Sequence, residues 1–167
     1  FYCAYWNMEK MKLEIERKFL VRDNWPRPEE GRHCIQGYIS AEKDRVVRVR
    51  IMDQQAWLTI KSLKTQLTRI EYEYEIPVDE ARVMLEKICT KPLIEKIRFA
   101  ICSFENKWEI DEFLGVNSGL IVAEVELEHE NQPIELPDWI GEEVSHDPKY
   151  YNINLVTIPY SNWNNNK

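Results

Sequence analysis

Charges placed at every second position, in pairs of one sign, restrict the fold of this chain more than any other feature. Glu14-Ile15-Glu16-Arg17-Lys18 sets two carboxylates and an ammonium on alternate positions of a stretch that runs on into Phe19-Leu20-Val21. On a strand, alternate residues share a face. The pattern returns as Arg48 and Arg50, Glu71 and Glu73, Lys96 and Arg98, Glu109 and Asp111, and Glu124 and Glu126. A single strand of this kind reads as the solvated side of an antiparallel sheet, with the intervening Ile, Val and Leu as core. The set reads differently, because like charges at i and i+2 repel and acidic and basic strands alternate along the chain. If the sheet curls so that these faces point inward, Lys18, Arg48, Arg50, Lys61, Lys96 and Arg98 meet Glu14, Glu16, Glu71, Glu73, Asp111, Glu124 and Glu126 in one lumen. Buried charge is costly unless paired or bound to ions, so such a lumen is expected to be a water-filled tunnel with a charged ligand. Ile15, Val47, Val49, Ile97, Phe99, Val125 and Leu127 then face outward and need helices as cover.

Strand-like runs fall at roughly 12–21, 33–40, 45–52, 56–63, 68–76, 94–102, 107–113 and 119–128. Ala41-Glu42-Lys43-Asp44, Met52-Asp53-Gln54-Gln55 and Glu105-Asn106 read as hairpin turns, which makes neighbouring strands antiparallel. After Pro77, Asp79 reads as an N-cap, and Ala81, Met84, Leu85 and Ile88 share one helical face. A second helix is expected near 148–156, starting at Pro148, with Tyr151, Leu155 and Val156 available to pack, and a short turn near Trp139. The expected fold class is α+β: an eight-stranded antiparallel β-barrel with a few helices packed outside.

A chain of 167 residues fits one domain, and no stretch approaches the ~20 apolar residues of a membrane span. The net charge of −7 argues against a broad nucleic-acid face, so an anion site must be a local concentration of Lys and Arg. Cys3, Cys34, Cys89 and Cys102 lie far apart, with no CxxC or Cys/His pairing, which points away from a zinc site or a disulfide framework and toward a reducing cytoplasm. Phe1 to Trp6 are aromatic and apolar but lack the basic leader and small-residue cleavage site of a secretory signal. Met8 or Met11 can each serve as a start, and residues 1–10 read as an N-terminal extension outside the functional unit.

The charge pattern suits a phosphate chain. Guanidinium groups bind phosphate oxygens in pairs and lysines act as point charges, while clustered carboxylates hold a hard divalent cation through oxygen. Mg²⁺ or Mn²⁺ fits such a site better than zinc, because His33, His129 and His146 are scattered away from the acids. Walker A, GxGxxG, Gly-x-Ser-x-Gly and HExxH patterns are missing from the sequence.

In their succession these motifs resemble the CYTH, or triphosphate tunnel metalloenzyme, superfamily. Its ExExK signature matches Glu14-Ile15-Glu16-Arg17-Lys18. In family order follow Gln36-Gly37-Tyr38, Val47-Arg48-Val49-Arg50, Leu58-Thr59-Ile60-Lys61, Arg69-Ile70-Glu71-Tyr72-Glu73, Ile94-Glu95-Lys96-Ile97-Arg98, Trp108-Glu109-Ile110-Asp111 and Ala123-Glu124-Val125-Glu126-Leu127. The likeness covers residues 11–158, which leaves 159–167 as a C-terminal tail. The resemblance implies a triphosphate tunnel and a metal-dependent hydrolase of a linear triphosphate, most like the short bacterial inorganic tripolyphosphatases. Thiamine or nucleoside triphosphate hydrolysis, cyclisation of ATP by a class IV-type adenylyl cyclase, and a non-catalytic polyphosphate-binding module are the alternatives. It implies Glu14, Glu16, Glu124, Glu126 and Asp111 as metal ligands, and Lys18, Arg48, Arg50, Lys61, Arg69 and Arg98 as the phosphate cradle. Lys96 and Tyr38 match a lysine–tyrosine catalytic pair of tripolyphosphatase-like members. The implied partner is a small-molecule triphosphate, with no nucleic acid and no membrane, and a homodimer is left open.

Overall fold

The computed structural model describes residues 12–42, 45–65 and 67–166. The expectations for residues 1–10, for Met11 and for the Lys43-Asp44 turn lie outside the described residues. Among the described residues nine strands form a single antiparallel sheet: β1 Leu13–Val21, β2 Arg32–Glu42, β3 Arg45–Met52, β4 Gln55–Leu63, β5 Thr68–Ile76, β6 Ile94–Ser103, β7 Asn106–Phe113, β8 Ile121–Glu126 and β9 Ile140–Glu143. Around the sheet the order is β5-β4-β3-β2-β6-β7-β8-β1, and a further pairing of β1 with β5 closes eight of the strands into a barrel. Closure depends on β1. One of its edges pairs with β8 from Glu16 to Leu20, and the other is divided between β5 at Leu13, Glu14 and Ile15 and β9 at Phe19 and Val21. The strand β9 goes beyond the eight expected from the sequence. Its four residues are too few to show a period, and it forms where the free half-edge of β1 offers unpaired backbone groups. Outside this seam, Arg17 Nε donates to Glu143 Oε1 at 2.9 Å.

Two turns refine the expected hairpins. The β3–β4 turn is at Asp53-Gln54, with Asp53 at φ 54°. The β6–β7 turn is Phe104-Glu105, one residue earlier than expected, and both residues take positive φ, as a two-residue primed turn requires. Asn106 was expected within the turn. It is instead the first residue of β7, and its amide donates to the Phe104 carbonyl at 2.9 Å.

Helix α1, Val78–Lys87, is capped at Pro77 rather than at Asp79. Asp79 and Glu80 occupy its first turn, where negative charge meets the positive end of the helix dipole. Ala81 and Leu85 pack on Val49 and Ala56 of the barrel's outer face, with Met84 half-buried beside them. Ile88, at the C-cap, is 56 % exposed and leaves the expected apolar face. The expected second helix is split into a 3₁₀ turn, Pro148–Tyr150, and α2, Asn152–Thr157. The 3₁₀ turn is capped by the Asp147 carboxylate, which accepts from Lys149 N at 3.1 Å.

Helices cover only part of the outward apolar face. Ile15, Phe19, Phe99, Trp108, Val125 and Leu127 form a cluster closed by Trp25, Ile134 and Trp139, all from irregular connections. Trp108 meets Phe19 edge-on at 5.6 Å and Trp139 at 5.7 Å. At one end of the barrel the charged inner rows give way to Tyr38, Val46, Ile94, Phe113 and Val122, which pack with Tyr150, Leu155 and Val156. Trp163 meets Tyr150 edge-on at 5.0 Å, so part of the stretch beyond residue 158 joins this core. Among the described residues no helix is long and apolar enough to cross a membrane, and Cys34, Cys89 and Cys102 are free thiols.

Trp108 is fully buried at the centre of the outer cluster, so Trp108→Ala should lower the unfolding free energy by about 3–5 kcal/mol. Urea denaturation followed by circular dichroism measures this. A loss well under that range would mean that the aromatic cluster does not hold the barrel shut.

Candidate active site

Strand parity and register build the site. On β1 the alternation that turns Ile15, Arg17 and Phe19 outward turns Glu14, Glu16 and Lys18 inward. Glu16 lies opposite Glu126 and Lys18 opposite Glu124 on β8, and Glu124 lies opposite Glu109 on β7. Across the lumen, Arg48 pairs in register with Thr59, Thr59 with Glu73, and Lys61 with Glu71. Arg69 opposite Glu14 completes the circle at the β1–β5 seam. A bulge between Tyr38 and Ser40 re-aims β2 immediately after Tyr38.

The result is one cavity of about 450 Å³ running into the barrel. Glu14, Glu16, Lys18, Tyr38, Arg48, Arg50, Lys61, Arg69, Arg98, Glu124 and Glu126 all line it. Lys96 and Asp111 do not: they face inward but are buried in the wall behind Arg98. Residues with no role assigned from the sequence also border the lumen, namely Glu71, Glu73, Glu109, Asn106, Glu128 and Gln132. Glu71, Glu73 and Glu109 were visible as inward-facing pairs. Glu128 and Gln132 come from the β8–β9 connection and carry no period that could have placed them.

Ion pairs organise the lumen, and besides those of Arg98 with Glu109 and Glu124 they fall at three points. Lys61 Nζ lies between Glu14 Oε2 at 2.6 Å and Glu71 Oε2 at 2.5 Å. Lys18 donates to Glu124 and pairs with Glu16 at 3.3 Å. Arg48 and Arg50 share one carboxylate, Glu73, at 3.4 and 3.0 Å, and Glu73 also accepts from the Thr59 hydroxyl at 2.8 Å. Two guanidinium groups on one carboxylate leave positive charge in excess. The Nε of each has no hydrogen-bond partner among the described residues, and Arg69 rests against the Tyr151 ring at 5.7 Å. Spare, fixed N–H donors of this kind suit phosphate oxygens.

The acids fall into two classes. Burial pushes Glu124 upward, but Lys18, Arg98 and Lys96 overcome this and hold it well below the usual carboxylate range. Asp111 is likewise pushed up by burial and held down by Arg98 and Lys96. Glu126 is raised by burial, then by the charges of Glu14, Glu109 and Glu16. Glu14 is raised by burial despite Lys61, with Glu71 adding to the rise. Glu14 and Glu126 are therefore crowded acids, and with Glu16, which lies opposite Glu126, they offer an all-oxygen donor set that fits a hard divalent cation. Glu14 and Glu124 are turned toward lysines, and among the described residues no three acids are gathered into a coordination shell. Holding an ion would require these side chains to turn from Lys61 and Lys18. Burial also raises the Tyr38 phenol to about 12, against Arg48, Lys18 and Arg69, and its hydroxyl takes a hydrogen bond from Gln36 Nε2 at 3.0 Å. Tyr38 is thus a neutral hydrogen-bonding group at physiological pH.

The two classes predict opposite effects on stability. A carboxylate depressed in the fold stabilises it above its unfolded value, and that stability is lost on acidification; a raised one costs stability as pH rises past its unfolded value. In metal-free buffer at neutral pH, Glu126→Gln should raise the melting temperature and Glu124→Gln should lower it. The Glu126→Gln gain should vanish below pH 4.5, the ordinary glutamate value. Thermal melts across pH decide this, and a loss of stability in Glu126→Gln at neutral pH would contradict the crowding of the acids.

The CYTH domain profile matches residues 12–153, a span containing all nine strands. A protein of Acetivibrio thermocellus named inorganic triphosphatase is 50 % identical over 155 residues, covering 92 % of this chain and 99 % of its own. One of Nitrosomonas europaea with the same name is 35 % identical over 154 residues, covering 87 % and 99 %. The crystal structure of the inorganic triphosphatase NE1496 matches with a TM-score of 0.62 at 32 % identity, over 86 % of this chain and 93 % of that one. With strand order, inward charge rows and relatives in agreement along nearly its whole length, the chain belongs to the CYTH domain family.

Proposed function

We propose that the protein is an inorganic triphosphatase that uses a divalent cation to split linear tripolyphosphate into pyrophosphate and orthophosphate inside the barrel. The observation that carries this reading is one closed lumen in which arginines with spare donors face a row of crowded glutamates. The two relatives named inorganic triphosphatase match over nearly their full lengths, and CYTH triphosphatases are metal-dependent as a family.

Arg48, Arg50, Arg69, Lys18, Lys61 and Arg98 bind and orient the phosphate oxygens, which take the place of the Glu73 carboxylate at the arginine fork. Fixed guanidinium groups inside a walled lumen lose little in reorganising as charge develops on the transferred phosphoryl group. Glu14, Glu16, Glu124 and Glu126 are the residues that would hold Mg²⁺ or Mn²⁺. When bound, the ion withdraws charge from phosphoryl oxygens. Tyr38, neutral at physiological pH, donates a hydrogen bond to the substrate. Water adds at a terminal phosphorus as its bond to the bridging oxygen breaks, so no covalent enzyme intermediate is needed. We assign the protein to the cytoplasm, in keeping with the buried free thiols of Cys34 and Cys89.

Phosphate release from tripolyphosphate, ATP and thiamine triphosphate, each with Mg²⁺, Mn²⁺ or EDTA, tests this. Tripolyphosphate should be the preferred substrate and EDTA should abolish turnover. Undiminished activity in EDTA, or faster release from either organic triphosphate, would overturn the assignment. Arg48→Ala should act mainly on KM, raising it roughly 10- to 100-fold, the equivalent of about 1.5–3 kcal/mol for a charge-assisted contact.

A further inference from the structure

Lys96 and Asp111 face inward yet are 1 % and 0 % exposed, and neither borders the cavity. Both oxygens of Asp111 are taken. Oδ1 accepts from Arg98 Nε at 2.7 Å, and Oδ2 accepts from Arg98 Nη2 at 2.7 Å and from Lys96 Nζ at 2.5 Å. Around the Lys96 ammonium lie the Phe113 ring, 5.5 Å away, and Cys34, its partner in register on β2. Asp111 is its hydrogen-bonded anion, while Arg98 and the Glu124 carboxylate act on it from the lumen side. Arg98 continues the series into the lumen: Nη2 also donates to Glu124 Oε2 at 2.9 Å, and Nη1 pairs with Glu109.

We propose that Lys96 and Asp111 are a positioning pair, acting on the bound triphosphate chiefly through the Arg98 guanidinium and not by a contact of their own. Each member has a distinct task. Asp111 accepts from two N–H groups on one edge of the guanidinium, Nε and Nη2, and fixes the plane in which it also meets Glu109 and Glu124. Left alone, Asp111 would also cancel the charge of Arg98. Lys96 neutralises Asp111 from behind, so the buried pair is electrically balanced and Asp111 does not cancel the charge that Arg98 carries to Glu109, Glu124 and the lumen.

The inference rests on the triphosphatase reading, and a double-mutant cycle separates the two. Failure of the wild type to release phosphate from tripolyphosphate would sink that reading. In an active wild type, Lys96→Met should lower kcat/KM by roughly tenfold or more, but by less than about twofold in an Arg98→Ala background. Asp111→Asn should show the same dependence on Arg98. A further readout is calorimetric binding of tripolyphosphate in EDTA, in which the same pairs should be non-additive. Lys96→Met/Asp111→Asn, which removes both charges together, should be more active than Lys96→Met alone and guards against loss of folding in the single variant. Multiplicative effects of Lys96 and Arg98, or a double variant no better than Lys96→Met, would overturn the proposal and give Lys96 its own contact with substrate.

Discussion

A charge inside a protein must be paired, solvated or absent, and every large feature of this molecule answers to that constraint. Strand alternation sends rows of carboxylates, ammonium groups and guanidinium groups into the barrel, where they have no bulk water to spread into. Register then matches them. Lys61 on β4 lies between Glu14 on β1 and Glu71 on β5, so an ion triplet spans the seam where β1 and β5 share only three residue pairs. A shift of one residue in that register would turn every charge of β1 outward. Closure and charge pairing are thus one event.

Such a lumen contributes little net stability, since desolvating ions offsets most of what their attraction returns. Stability comes from the other side of the same strands. Trp108, Phe19 and Phe99 occupy the positions between the inward charges, and Trp25 and Trp139 close over them. The barrel therefore separates its tasks by parity, with apolar packing on the outer face and ion chemistry on the inner one. Within the lumen a second division follows from charge balance. Glu124 and Asp111 are satisfied by cations and held in the ionised form. Glu14 and Glu126 are crowded and raised, an arrangement left unbalanced by the cations of the wall.

Much of this was legible in the chain. Period-two charge marks the inward faces of β1, β3, β5, β6, β7 and β8 directly, because parity along a strand is a local property. The helix after Pro77 was legible for the same reason, since Ala81 and Leu85 recur at helical spacing. The N-cap was less so: Asp79 has the side chain for the task, but the chain enters the helix at Pro77 and leaves Asp79 in the first turn. The strand β9 and the covering connections could not be read. Ile140–Glu143 is a strand only because β1 has a free half-edge, and Trp25 and Trp139 become core only because no helix reaches that part of the sheet.

The sequence by itself determined which charged side chains face into the barrel, because alternation and charge are written residue by residue. Depth within the barrel was decided by tertiary structure alone. Lys96 and Arg98 are two positions apart on one strand with the same parity, yet Arg98 lines the cavity and Lys96 is sealed behind it with Asp111. What separates them is the apolar packing of Ile94, Phe113 and Val122, which closes that end of the barrel. These are relations among distant segments, which no local pattern encodes.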